Sequence, residues 1–133
     1  MSVYILVVDD EPDVEALFRQ QFRRDIRDGR FTMDFAQSAN IALKLISDAA
    51  AASLILILSD INMPGMSGLE LLPTVKARRP DLPVFMISAY GDQDTIATAL
   101  ARGANEFFTK PVDFPKLKQD IMAVMTDATG GNG

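Results

Sequence analysis

Four short runs of this chain, at 3–8, 54–59, 82–87 and 106–109, read as strands, and polar residues follow directly on each. Those residues are Asp9 and Asp10, Asp60, Ser88, and Lys110 with Pro111 behind it. The second run begins Leu54-Ile-Leu-Ile-Leu58, without one polar position, as a strand covered on both faces requires. Such strands belong to parallel sheets with helices on either side. In open sheets of that kind, ligands bind beyond the carboxyl ends of the strands. The pattern restricts the fold to α/β and brings three carboxylates, a hydroxyl and an ammonium to one edge. That set is the outline of a site for a divalent metal ion and a phosphoryl group.

Between the strands the spacing turns helical. Val14, Leu17, Phe18, Phe22 and Ile26 mark a first helix; a second strand spans 31–36, and Ala42, Leu45, Ile46 and Ala49 mark a second helix. Ser67-Gly-Leu-Glu70 has the spacing of a capping box for the third. Pro73 conflicts with a helix running straight on from that box, because an interior proline costs ~3 kcal/mol. Either the regular helix begins near Leu72, with Pro73 in its first turn, or it is kinked at the proline, and the first is the expectation. Ile96, Ala99 and Leu100 carry a short fourth helix that ends at Gly103. Phe107 and Phe108 lie in the fifth strand. Asp113 caps a fifth helix, with Pro115 in its first turn and Leu117, Ile121, Val124 and Met125 facing inward. Five βα units in a row, joined by right-handed crossovers, give one domain over 1–126. Residues 127–133 end in Gly130-Gly-Asn-Gly and read as a flexible tail or the start of a linker.

The available chemistry is narrow. The 133 residues include no cysteine and no histidine, which excludes disulfides, thiolate zinc sites, catalytic triads and a phosphohistidine in this chain. Carboxylate, hydroxyl and lysine remain. A net charge of −5 argues against direct contact with nucleic acid, and no helix-turn-helix is evident. No run approaches the ~18 apolar residues that would span a bilayer, and the start lacks the basic region of a signal peptide. A cytoplasmic location without membrane contact is the expectation.

Asp9-Asp10-Glu11, Asp60 followed by Met63-Pro-Gly-Met-Ser-Gly68, Ser88-Ala89 and Lys110-Pro111 together resemble the receiver domain of two-component response regulators. The resemblance covers about residues 3 to 126. It implies a flavodoxin-like (βα)5 three-layer sandwich with a five-stranded parallel sheet of order 2-1-3-4-5, in a bacterial signalling protein. It also implies a phosphoacceptor that takes a phosphoryl group from a histidine kinase or a phosphotransfer protein. Asp60 would be the nucleophile and the modified residue. Asp10 and Asp60 would ligate Mg²⁺ directly, Asp9 largely through water, and Asn62 through its backbone carbonyl. Lys110 would pair with the phosphoryl oxygens and Ser88 would donate to one of them. Ser88 and Phe107 would form the switch, with Phe107 lacking the hydroxyl of the tyrosine common in relatives. The output face would be the fourth helix, fifth strand and fifth helix, where a partner, an output domain or a second copy docks. The Lys110–Pro111 bond is usually cis in the family. Tyr90, two residues past Ser88, stands where the family tunes dephosphorylation, and its ring is expected to shield the phosphoryl group from water. The Arg19, Arg23, Arg24, Arg27 and Arg30 series, interrupted by Asp25 and Asp28, reads as a mixed solvated face. Its functional alternative is a docking surface for an acidic partner. A long, Arg-rich first helix also loosely resembles that of receivers fused to nucleotide-cyclase output domains.

Each element alone has a plainer reading. An acidic pair at a strand end caps a helix, Asp60 before Asn62 and Pro64 makes a turn, Lys110 is surface, and Phe107 is core. Their recurrence at consecutive strand ends carries the site. A flavin carrier of the same fold would need a phosphate loop after strand one, and Asp9-Asp10-Glu11 would repel that phosphate. An aspartate-nucleophile phosphatase would want a second carboxylate at position 62. A pseudo-receiver that binds partners without phosphorylation is the remaining alternative.

Overall fold

The computed structural model describes residues 3–47 and 53–128. The order is β1 (Tyr4–Val8), α1 (Pro12–Gln21), α2 (Arg23–Arg27), β2 (Thr32–Ala36), α3 (Ala39–Ile46), β3 (Leu54–Asp60), α4 (Gly68–Arg78), β4 (Val84–Ser88), α5 (Gln93–Ala101), β5 (Glu106–Thr109) and α6 (Phe114–Ala128). Ala49 and residues 129–133 lie outside the described residues.

The strands form one parallel sheet in the order β2-β1-β3-β4-β5. Every residue of β1, β3 and β4 is buried, as continuous apolar runs predict. Two cores lie on opposite faces. Leu6, Val8, Ile57 and Met86 pack with Leu71, Leu72 and Val75 of α4 on one face. Val7, Leu58 and Ile87 pack with Phe18 of α1 and Leu117 and Ile121 of α6 on the other. This is the expected three-layer, flavodoxin-like arrangement.

The sheet register decides which side chains meet at its carboxyl edge. Tyr4 pairs with Leu54 but Ile5 pairs with Leu56, so β3 skips Ile55 and Val7 then stands beside Leu58. Side chains alternate faces along a strand. Asp9 and Asp60, each two residues further on, therefore leave the sheet on the same face, toward α1 and α6.

Two helices depart from expectation. The continuous helical spacing through Ile26 is interrupted at Phe22 (φ −108°, ψ 17°), which separates α1 from α2. The interruption falls where the fully buried Phe22 ring sits about 6.0 Å from the rings of Phe18, Phe31 and Phe114. The expected fourth and fifth helices are accordingly α5 and α6. The second correction concerns α4, which starts at Gly68 rather than near Leu72. Its capping box is complete: Ser67 Oγ accepts from the Glu70 N–H at 3.2 Å, and Glu70 Oε1 accepts from the Ser67 N–H at 3.1 Å. Pro73 thus lies inside the helix and cannot supply the N–H that would bond to the Leu69 carbonyl. Arg102, at the end of α5, fills that role: its Nη1 donates to Leu69 O at 2.7 Å. A smaller difference is that Leu100 of α5 turns outward, half exposed.

Candidate functional site

β1 and β3 end side by side and deliver Asp9 and Asp60, which are 9% and 5% exposed. Asp10 is half-buried beside them, and carboxylate oxygens of Asp9, Asp10 and Asp60 all lie within 4.8 Å of one another. β5 ends at Thr109, and Lys110 reaches back so that its Nζ stands 3.5 Å from Asp60 Oδ1 and 3.6 Å from Asp9 Oδ2. The Lys110–Pro111 bond is cis. Asn62 is exposed on the loop after β3.

Close packing holds Asp60 from behind. The Gly68 N–H donates to Ile61 O at 2.8 Å, and a Cβ at Gly68 would lie 2.1 Å from Asp60 O. Only glycine lets the start of α4 approach the strand end so closely. Ser59 Oγ, itself buried, donates to the Asp60 carbonyl at 3.0 Å. Asp9 is also fixed, its Oδ1 accepting from the Glu11 N–H at 2.9 Å.

The electrostatics are frustrated. Burial, and then the charge of Asp9, push the Asp60 carboxyl above its ordinary value, against the opposing pull of Lys110. For Lys110, burial works against the charged form, but Asp60 and Asp9 outweigh it and raise its pKa. One ammonium faces three carboxylates, so negative charge remains uncompensated. The donors are hard oxygens throughout, converging from two strand ends, and this suits Mg²⁺ or Ca²⁺ better than a softer ion.

Ser88 and Phe107 lie on the opposite face. Met86 pairs with Phe107 and Ser88 with Thr109 in the sheet. Met86 belongs to the core under α4, and Phe107 packs against that core half-buried. Ser88 is fully buried, and its Oγ accepts from the Tyr90 N–H at 3.0 Å while its own O–H stays available to donate. The Tyr90 ring is 65% exposed, over solvent.

Three participants escaped the sequence pattern. Ser59 is concealed in an apolar strand. In the sequence Thr109 is only the last residue of the fifth strand, although strand alternation places it with Ser88 and Phe107. Its Oγ1 lies 2.7 Å from where a Gly91 Cβ would stand, so glycine lets the β4–α5 loop rest on it. The third is an apolar cleft beside Asp60, lined by Val14, Leu17, Val112 and Phe114. The arginine series pairs mainly within its own segment: Arg19 with Glu15 at 2.9 Å, Arg30 with Asp25 at 3.5 Å and Arg27 with Asp28 at 3.7 Å.

Comparison with known proteins agrees with this geometry. The family model described as response regulator receiver domain matches residues 5–122. The response regulator protein PilR of Pseudomonas aeruginosa is 40% identical over 122 residues, which are 90% of this chain and 25% of PilR. This chain spans about a quarter of the length of such curated relatives. A CheY-like response regulator receiver domain protein from Methanospirillum hungatei superposes with a TM-score of 0.84 at 25% identity, over 98% of both chains. The response regulator protein TrrA of Thermotoga maritima, solved in complex with Mg²⁺ and BeF, gives a TM-score of 0.75 at 28% identity, over 92% of this chain and 98% of that one. Among the described residues no helix is long and apolar enough to cross a membrane.

Proposed function

We propose, from the premise that this chain belongs to the response regulator receiver domain family, that it accepts a phosphoryl group on Asp60 and relays that event to the α5-β5-α6 face. The supporting observation is a buried Asp60 paired with Lys110 at 3.5 Å, beside two further carboxylates. Asp9, Asp10, Asp60 and the Asn62 carbonyl would hold Mg²⁺, and all are oxygen donors. When bound, Mg²⁺ supplies positive charge to the phosphoryl oxygens.

The remaining chemistry belongs to the chain. An Asp60 oxygen attacks phosphorus, and the bond from phosphorus to the donor's leaving atom breaks, giving an aspartyl phosphate. The donor is a phosphohistidine of a kinase or phosphotransfer protein. Lys110, released from its carboxylate partners, neutralises the transferred group. Ser88 donates its free O–H to a phosphoryl oxygen, and Phe107, on the same face of the sheet, follows it inward. Tyr90 covers the phosphoryl group and slows its hydrolysis. The output partner is a protein or domain that reads α5, β5 and α6, and a second copy is one candidate.

Intact mass after incubation with Mg²⁺ and acetyl phosphate tests the acceptor. Wild type is expected to gain one phosphoryl group and Asp60→Asn none. A wild-type chain that stays unmodified while binding neither Mg²⁺ nor beryllofluoride would make it a pseudo-receiver. The shielding role has its own readout: Tyr90→Glu is expected to lose phosphate severalfold faster than wild type, and an equal or slower loss would remove Tyr90 from the mechanism.

A further inference from the structure

The arginine-rich segment sits at the far edge of the sheet from Asp60. α1 leaves the carboxyl edge after Asp9 and runs back, so α2 and the turn into β2 lie at the amino edge, where the Thr32 N–H donates to Val3 O at 3.0 Å. Charge is divided along this stretch. Residues 9–15 hold five acids and no base, whereas residues 19–30 hold five arginines against Asp25 and Asp28. On a chain of net charge −5, that surplus is a local positive field. Phe22 and Ile26 turn into the core, which sends Arg23, Arg24 and Arg27 to solvent. The side chains of Arg23 and Arg24 have no ion-pair or hydrogen-bond partner among the described residues. Beside them, between α2 and α6, is a hollow of about 130 Å³. Phe22, Phe31 and Ile121 are packed beneath it, and Met122, 41% exposed, borders it. Its charged residues are Arg30, Lys118 and Asp25. Neither cation is well matched. Arg30 reaches Asp25 only at 3.5 Å, and Lys118 Nζ stands 5.5 Å from the centre of the Phe22 ring, a weak partner for an ammonium.

We propose that this surface docks an acidic segment of a partner protein, with one carboxylate entering the hollow between Arg30 and Lys118 and others meeting Arg23 and Arg24. Guanidinium groups suit that role, because their planar forks match carboxylates. Asp25 already faces Arg30, and an incoming carboxylate avoids it by approaching from the Lys118 side. Two other polyanions fit less well. A nucleic-acid backbone calls for an unbroken basic stripe, and Asp25 and Asp28 interrupt this one. A bilayer surface calls for an apolar helix face turned outward, and the apolar face of α2 is packed into the core. Lying at the opposite edge from Asp60, the surface is independent of phosphoryl acceptance.

The probe is a short fluorescein-labelled polyglutamate peptide, followed by anisotropy, with amide chemical shifts of the protein to place it. Binding at low ionic strength is expected, weakening steeply as salt is added. Arg23→Ser combined with Arg24→Ser should weaken it about tenfold, and Lys118→Gln about threefold, at roughly threefold for each exposed charge pair. These side chains are surface groups, so the variants should keep a Tm close to that of wild type. Amide shifts are expected over 22–31 and 118–122. No binding by wild type, binding of equal strength in the variants, or shifts centred on another part of the molecule would overturn the proposal. Tighter binding to duplex DNA, or to vesicles containing phosphatidylserine, than to the peptide would assign the arginines to that polyanion and overturn it as well.

Discussion

Asp60 carries a conflict that belongs to the single residue. It is buried, beside Asp9, with Lys110 at 3.5 Å as its only nearby counter-charge among the described residues. Burial first, and Asp9 second, raise its pKa above the ordinary carboxylate value, so the folded state binds a proton more tightly than the unfolded chain does. The sign follows. Below the ordinary carboxylate pKa the residue is protonated in both states and the penalty vanishes; it grows as pH rises from that ordinary value to the elevated folded value, and above the folded value it is complete. Asp60→Asn is therefore expected to stabilise the metal-free protein at neutral pH, read as a higher Tm than wild type. Lys110 would still have Asp9 at 3.6 Å in that variant. Denaturation in chelator should show the gain shrinking at acid pH, and added Mg²⁺ should stabilise wild type more than the variant. A variant less stable than wild type in chelator at neutral pH would mean that the Lys110 pairing outweighs burial. At this scale the sequence was readable wherever chemistry sat at a strand end, which is why Asp9, Asp60, Ser88 and Lys110 could be grouped from their positions alone. Ser59 and Thr109 were not, because one acts through a backbone carbonyl and the other through a neighbouring glycine.

α4 is where element-level reading failed, and the reason is instructive. The capping box was legible because it is local, spanning Ser67 to Glu70. Pro73 appeared to contradict it only because the compensation comes from Arg102, in a different helix. No local pattern encodes that exchange. Arg102→Ala should remove the replacement donor and destabilise the fold by about 1–2 kcal/mol, the usual range for leaving a backbone carbonyl short of a partner. Pro73→Ala restores an N–H at the right place in the helix. In that background Arg102→Ala should cost no more than about 0.5 kcal/mol, so the two changes are expected to couple in a double-mutant cycle measured by urea denaturation. Additive effects would show that the Arg102 contact does not substitute for the missing bond. The break at Phe22 has a similar origin: periodicity runs through it, but packing among Phe18, Phe31 and Phe114 is long-range.

For the whole molecule, the sheet places the proposed acceptor and the proposed switch residues on opposite faces. Asp60 and Lys110 lie on the face covered by α1 and α6, whereas Ser88 and Phe107 belong to the face under α4 and α5. Ser88, at the common edge, is the hydroxyl proposed to carry the event across. Its Oγ already accepts from the Tyr90 N–H at 3.0 Å, so a shift of Ser88 toward a phosphoryl group draws the β4–α5 loop with it. The far end of α5 is held differently. Arg102 is bonded to Leu69 O at 2.7 Å, and the Lys76 Nζ reaches Leu82 O at 2.8 Å and Asn105 Oδ1 at 2.9 Å. Asn105 Oδ1 also accepts from the Val84 N–H at 3.0 Å. One end of α5 therefore follows the loop bonded to Ser88 while the other is anchored to α4 and β4, so under the proposed phosphorylation the C-terminal end would act as a pivot. Beryllofluoride with Mg²⁺ is expected to change amide chemical shifts most over Tyr90 to Ile96 and along β5, and little from Arg102 to Asn105. Ser88→Ala should remove the α5 changes while sparing those next to Asp60, because it cuts the link and not the acceptor. Shifts spread evenly along α5, or an α5 response that survives in Ser88→Ala, would contradict a pivot driven through that hydroxyl.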